Sequence, residues 1–376
     1  MKILHLITGL NYGGAESMLL GVVQHLQKQG IQQDVISLST NGAIGERLQN
    51  LGIKVSALHL PRGRMTVKGW RTLRRLVKES QPDLMQTWLY HADFAGALLR
   101  LSGIRCPLVW GVHHSADNWR EMKATTRLVL CANRLLARWL PDAIVCCSES
   151  ASQSHAALGY PAKKMVIIPN GIDTQRFQPH DQGGERLRNR LGVPAGSLMV
   201  GHCGRWIPLK GHRIYVEMAA RLRAGFADMH FVMCGEGIDV DNDPLMAWIE
   251  ENGLSGNVHL MGGQAAMEEI YQGLDLFVSS SLSEAMPLTV MEAMACGVPC
   301  VVTDVGDQGT LVAEWGVVVM PGSADALIHG CEQVLGLTCE EQERLGQGAR
   351  QRIVNDYSLD AAAQKYLTVY QRLLAE

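Results

Sequence analysis

Arg205 and Lys210 lie five residues apart in Gly201-His202-Cys203-Gly204-Arg205-Trp206-Ile207-Pro208-Leu209-Lys210-Gly211, just after an apolar run, Met199–Cys203. An arginine offers a planar fork and a lysine a point charge, and together they suit a diphosphate. A solvated surface pair would use the same residue types. A second constellation is Ser283-Glu284-Ala285-Met286-Pro287-Leu288-Thr289-Val290-Met291-Glu292-Ala293-Met294-Ala295-Cys296-Gly297-Val298-Pro299. If a helix starts near Glu284, Glu292 follows about 2.2 turns later, which puts the carboxylates within roughly 80° of each other and some 12 Å apart along the axis. Nothing local neutralises Glu292 among Val290, Met291, Ala293 and Met294, and an unpaired buried carboxylate is costly. The two hydroxyls of a ribose would satisfy it; so would the end of a neighbouring helix. Near the start, Thr8-Gly9-Leu10-Asn11-Tyr12-Gly13-Gly14-Ala15-Glu16 places two adjacent glycines before a helical pattern. Gly13 and Gly14 let a ligand approach the backbone closely, and the helix start aims N–H groups at it. The pattern is not the dinucleotide fingerprint, and a tight turn alone would explain the glycines. His113 ends the run Leu108–Val112, with His114 beside it.

These residues need elements to hold them. Thirteen short apolar runs alternate with helix-period segments along the whole chain. Runs include Lys2–Ile7, Leu108–Val112, Met199–Cys203 and Leu274–Val278; helical segments include Glu16–Gln29, Lys68–Lys78, Arg120–Leu140, His212–Ala224 and Met286–Cys296. Such alternation predicts parallel sheets with helices on both faces. One sheet rarely carries that many strands, so two sheets are expected. In parallel α/β sheets ligands sit at the carboxyl ends of strands, where Arg205, Lys210 and His113 fall. Phe177–Arg190, with Pro179, Asp181, Gln182, Gly183 and Gly184, reads as the linker.

Taken together, the GGAE loop, the GR-x4-K loop and the E-x7-E helix followed by AMACGVPCVVTDVGD resemble the retaining glycosyltransferases of family 4. Pro169-Asn170-Gly171-Ile172-Asp173 and Gly235-Glu236-Gly237 fit the same pattern, so the resemblance spans nearly the whole chain. It implies a GT-B fold, α/β, with two Rossmann-like domains whose parallel sheets face a central cleft. The acceptor-binding domain would be residues 1–178 and the nucleotide-sugar domain 179–358. The helix in 359–376 would pack back on the first domain. It also implies roles. Arg205 and Lys210 would grip the donor diphosphate, with backbone amides from Gly13 and Gly14. Glu292 would hold the ribose, Glu284 the hydroxyls of the transferred sugar, and His113, rather than His114, the donor sugar from the first domain. The family needs no divalent metal or other cofactor, and this sequence shows no DxD-like cluster at a strand end. Physically, charge developing on the leaving diphosphate must meet fixed positive donors. The two carboxylates bind hydroxyls instead of flanking the bond as in glycosidases. The resemblance implies front-face attack, with a donor phosphate oxygen taking the acceptor proton. Position 285 departs from many relatives, Ala standing where they have Gly. That bears on which sugar is carried; a UDP-sugar is the expected donor. A sugar-nucleotide epimerase of the same fold, or a non-catalytic partner subunit, would be the alternatives.

Charge distribution bears on the acceptor. Of 34 Lys+Arg and 37 Asp+Glu, 21 and 11 fall in residues 1–180, leaving 13 and 26 for the rest. The basic first half suits an anionic partner. Arg62, Arg64, Lys68, Arg71, Arg74, Arg75 and Lys78 surround Trp70, and Arg120, Lys123, Arg127, Arg134 and Arg138 alternate with Leu128, Val129, Leu130, Leu135, Leu136 and Trp139. Basic amphipathic helices can lie on anionic membranes, which would suit a glycan or lipid-linked acceptor in cell-envelope, exopolysaccharide or lipopolysaccharide assembly; ordinary surface helices would show the same pattern. Nucleic acid is disfavoured, because no stacking aromatics interleave with the basic residues. The ten cysteines lack metal-type spacing and read as reduced thiols. With no cleavable leader in MKILHLITGLNYGG, the expected location is the cytoplasm, with attachment to the inner face of the cytoplasmic membrane.

Overall fold

A computed structural model describes the chain except residues 62–63, 118, 227, 265 and 376 and the side chain of residue 121. Arg62 of the basic stretch thus lies outside the described residues. The chain forms two compact units: Met1–Gly171 with Leu359–Glu376, and Ile172–Ser358.

Among the described residues, the first unit holds seven strands: β1 (Lys2–Ile7), β2 (Gln32–Ser37), β3 (Lys54–Ala57), β4 (Leu84–Trp88), β5 (Leu108–Val112), β6 (Ala143–Cys146) and β7 (Met165–Ile167). They pair in parallel in the order β3-β2-β1-β4-β5-β6-β7. The second unit holds six: β8 (Leu198–Cys203), β9 (Met229–Cys234), β10 (Val258–Leu260), β11 (Leu276–Ser279), β12 (Cys300–Thr303) and β13 (Val317–Val319). These too are parallel, in the order β10-β9-β8-β11-β12-β13. Both sheets are doubly wound. Strand order reverses between β1 and β4 in one and between β8 and β11 in the other, and such switch points open a crevice at the strands' carboxyl ends. Burial on both faces explains the continuous apolar runs: every residue of β4, β5, β6, β11 and β12 is buried.

Phe177–Arg190 is not a free linker. Phe177 and Leu187 are buried in the second unit's core, and Gly183–Leu191 is a helix. Turn-forming residues at 179–184 mask an apolar anchor on either side. The last helix, Leu359–Ala375, belongs to the first unit, where Ala363, Tyr366, Leu367 and Tyr370 join the core containing Trp88. A Leu359 methyl occupies the space a side chain at Gly21 would need. The expected helix Arg120–Leu140 is shorter, Ala124–Leu136, after a single 3₁₀ turn at Trp119–Glu121.

Candidate functional site

The loop after β8 and the loop after β11 meet at the second unit's switch point. Lys210 Nζ forms an ion pair with Glu284 Oε1, and the Ser281 hydroxyl donates to the same oxygen at 2.7 Å. Ser280 Oγ donates to the carbonyls of Lys210 and Gly211 at 3.0 and 3.1 Å, tying the loops together. Gly211 has φ +66°, and a Cβ there would overlap the Ser280 carbonyl; only glycine allows both. Gly235, at φ +146°, likewise lies against the Gly204 carbonyl, so a side chain there would displace the loop carrying Arg205. Arg205 itself is exposed.

Glu292 stands apart from Glu284. The helix runs from Leu288 to Ala295 with Pro287 at its N-cap, so Glu284 lies in the preceding loop. The helical spacing expected for the two carboxylates therefore does not hold: Pro287 fits the edge of a helix but not its interior. Glu292 does have a protein partner, the Tyr271 hydroxyl, which donates to Oε2 at 2.9 Å. Burial pushes the Glu292 carboxyl up to about 7, opposed by the Tyr271 hydrogen bond and by Arg176, with Glu268 adding to the rise. One carboxylate oxygen is thus engaged by protein, and the group still has acceptor capacity for ligand hydroxyls. Tyr271 carries no local signal in the sequence, because it is 21 residues from Glu292 and reaches it through the fold.

In the first unit, β1 leads to Gly13, the N-cap of the helix Gly14–Lys28, which has no side-chain cap hydrogen bond. Gly13 is extended (φ −176°), and a Cβ there would meet the Glu16 carboxylate. His113 follows β5, and its ring stacks on Trp88 at 5.1 Å and 18°. Burial, helped by His114, pushes His113 down to about 3, against a pull from Asn170. At neutral pH it is an uncharged imidazole, able to hydrogen-bond but not to act as a cation. His114 is exposed. Trp88 is held in turn: its indole N–H donates to His5 Nδ1 at 3.3 Å, His5 Nε2 meets Gln33 Oε1 at 3.1 Å, and Tyr366 stacks on it at 5.5 Å. Since an amide oxygen only accepts, His5 carries its proton on Nε2, which leaves Nδ1 free to accept from Trp88.

Residues 12–176 match the model of Glycosyltransferase Family 4, and residues 184–352 that of Glycosyl transferases group 1. The chain belongs to glycosyltransferase family 4. This family 4 glycosyltransferase is 27% identical over 316 residues to a Bacillus subtilis protein named as a glycosyltransferase, EpsF, covering 81% of this chain and 79% of that one. It is 25% identical over 323 residues to the Escherichia coli UDP-Gal:alpha-D-GlcNAc-diphosphoundecaprenol alpha-1,3-galactosyltransferase, again covering 81% and 79%. Its fold is that of the GT-B glycosyltransferases. It superposes on Anabaena HepE, crystallised with UDP and glucose, with a TM-score of 0.88 and 21% identity, covering 99% of this chain and 100% of that one. Ala285 is buried, its carbonyl accepts from the Asp307 N–H at 2.9 Å, and its backbone is not left-handed, so its Cβ causes no backbone strain.

Proposed function

We propose that this glycosyltransferase moves a sugar from a UDP-sugar to a lipid-linked or glycan acceptor, with retention at the anomeric carbon and without a metal. The observation that carries the reading is the meeting of Lys210, Ser281 and Glu284, with Arg205 in the same loop as Lys210, where the second sheet's strand order reverses, after β8 and β11. A ligand bound there would meet a cation for its diphosphate and a carboxylate for sugar hydroxyls side by side. In this reading Arg205 and Lys210 take the diphosphate, Glu284 the sugar hydroxyls and Glu292 the ribose. The ion pair holds Lys210 and Glu284 in place until each turns to its part of the donor. The second unit is the donor domain. The first is the acceptor domain, where the amides at Gly13 and Gly14 and the neutral His113 serve substrate contact.

Negative charge builds on the diphosphate as the sugar leaves, and fixed cations stabilise that state more than the ground state. Glu284 is engaged by Lys210 and Ser281, which suits a hydroxyl acceptor better than a nucleophile. A donor phosphate oxygen takes the acceptor proton. Among the described residues no group of three or more His, Cys, Asp or Glu gathers that could hold a metal ion.

UDP is favoured because the Escherichia coli relative is named for UDP-Gal and HepE was crystallised with UDP. That relative is also named for a diphosphoundecaprenol acceptor. A lipid-linked acceptor fits the helix Ala124–Leu136, which leaves Leu128 72% and Leu135 64% exposed, with Trp139 71% exposed just beyond. Exposed Lys123, Arg127, Arg134 and Arg138 flank them, the pattern of a surface that settles on anionic lipid. Among the described residues no helix is long and apolar enough to cross a membrane.

A thermal-shift screen over UDP-, GDP- and ADP-sugars tests the donor, because a ligand that binds only the folded state raises stability in proportion to RT ln(1 + [L]/Kd). UDP-sugars should raise Tm, and Glu292→Ala should shrink the rise at the same ligand concentration. Stabilisation by ADP- or GDP-sugars alone would overturn the uridine assignment.

A further inference from the structure

His202 and His212 form a buried chain that ends on the backbone of the cation loop. His202, on β8, places Nδ1 3.0 Å from the Val278 carbonyl of β11. Its Nε2 lies 3.1 Å from His212 Nδ1. His212, the first residue of the helix His212–Gly225, places Nε2 2.8 Å from the Arg205 carbonyl. His202 and His212 are 1% and 3% exposed; the contacts to Val278 and between the rings are buried, and the one to Arg205 is part-buried. Tyr215 stacks on His202 at 4.8 Å and Trp206 on His212 at 5.2 Å, so neither ring is free to turn away.

Counting protons exposes a conflict. Carbonyl oxygens only accept, so each end of the chain needs an N–H, and the contact between the rings needs a third. Two neutral imidazoles carry two N–H groups in all. If both rings donate towards Arg205, the Val278 end faces a bare nitrogen; if both donate towards Val278, the Arg205 carbonyl keeps only the Ile207 N–H at 2.8 Å; if each donates to its own carbonyl, two bare nitrogens face each other at 3.1 Å. One added proton completes all three contacts. This differs from the His5 chain, whose acceptors and donors match without a charge.

We propose that His202 and His212 are positioning residues, a latch on the Arg205 loop that closes fully only when the pair takes up one extra proton. The charged and titratable groups facing it are Lys210 in the loop and Tyr215, whose phenol lies near Cys203, Cys234 and Cys331; of Arg205 only the backbone carbonyl reaches the pair. Glu284 acts on the pair through Lys210, which it neutralises. Burial pushes both histidines down, His212 and Lys210 add to this for His202, and Lys210 adds to it for His212. The proton therefore enters below the usual histidine range. The latch acts through the loop's backbone, which also includes Trp206 N–H to the Glu236 carbonyl at 2.8 Å and Lys210 N–H to the Ile207 carbonyl at 3.1 Å.

The importance of the latch for transfer rests on the reading of Arg205 and Lys210 as the diphosphate grip. Its test needs no nucleotide, so that reading can fail while the latch stands. Side-chain ¹⁵N spectra and amide exchange are recorded on the full chain from about pH 8 to about pH 4, through and below the ordinary histidine range. At the upper end each ring should show one protonated nitrogen. As pH falls, one ring should gain its second proton in the folded chain. Protection factors at Trp206, Ile207 and Lys210 should then rise about threefold to tenfold, the worth of one such hydrogen bond. His212→Asn, which keeps a donor but cannot titrate, should hold the loop without pH dependence. His212→Phe should lower protection throughout. Two rings that stay singly protonated with unchanging protection, or a folded His212→Phe chain with wild-type protection, would overturn the latch.

Discussion

The Glu292 carboxyl titrates near 4.5 when free and near 7 in the fold, chiefly because it is buried. The folded chain holds its proton more tightly than the unfolded chain. Stability is therefore fully present below about pH 4.5 and is lost as pH rises towards and through about 7. Glu292→Gln removes that loss. In urea melts at pH 8 the variant should gain on the order of 2 kcal/mol over wild type, and at pH 4 the two should match. An equal gain at both pH values would mean that the effect is packing and not charge. Binding separates the two carboxylates. Calorimetric titration with uridine diphosphate should show at least about tenfold weaker affinity for Glu292→Ala, the loss of a charged hydrogen-bond acceptor. Glu284→Ala should bind with nearly wild-type affinity and lose turnover instead. Equal affinity for wild type and Glu292→Ala would remove Glu292 from the ribose. Sequence reading found these carboxylates by their types, but not what they touch: Tyr271, Lys210 and Ser281 reach them from 21, 74 and 3 residues away. Ser281 alone is local, and nothing in the order of residues says which way its hydroxyl turns.

At the scale of elements, the strands were the most legible part. Lys2–Ile7 and Leu108–Val112 are strands with the bounds their apolar runs suggest, because strands buried on both faces carry apolar side chains throughout. Helix ends were less so. Pro287 delays the last site helix to Leu288, and that delay is what takes Glu284 off the helix and beside Lys210. The helix Leu359–Ala375 supports the first unit's site in a way no local pattern reveals. Tyr366 stacks on Trp88, and Trp88 stacks on His113. Tyr366→Ala should cost about 3–5 kcal/mol as a large-to-small core change. It should also lower kcat in protein still folded at the assay temperature, as the support beneath His113 loosens. Tyr366→Phe keeps the stack and should retain both stability and activity. Loss of stability without loss of kcat would confine the helix to a packing role.

The whole molecule divides its charge unevenly, and the exposed Leu128, Leu135 and Trp139 lie in the basic first unit. Co-sedimentation with liposomes should require anionic lipid and fall with added salt, as electrostatic attraction is screened. Trp139→Asp should weaken it further at fixed salt. Binding indifferent to lipid charge and salt would refute the lipid face while leaving transfer untouched. The second sheet places the cation loop that defines the proposed reaction after a strand at its switch point, while the first places Gly13 after β1 and His113 after β5. The most direct test is turnover of a UDP-sugar, by transfer or by slow donor hydrolysis, in wild type and Lys210→Ala, with circular dichroism to confirm folding. Removing one donor to a developing oxyanion typically costs about 10²–10³ in kcat. The account predicts a loss of that order in a folded Lys210→Ala chain, and a double variant with Arg205→Lys that loses less than the product of the two single losses, because both cations serve one diphosphate. A folded Lys210→Ala enzyme with wild-type kcat and KM would contradict it.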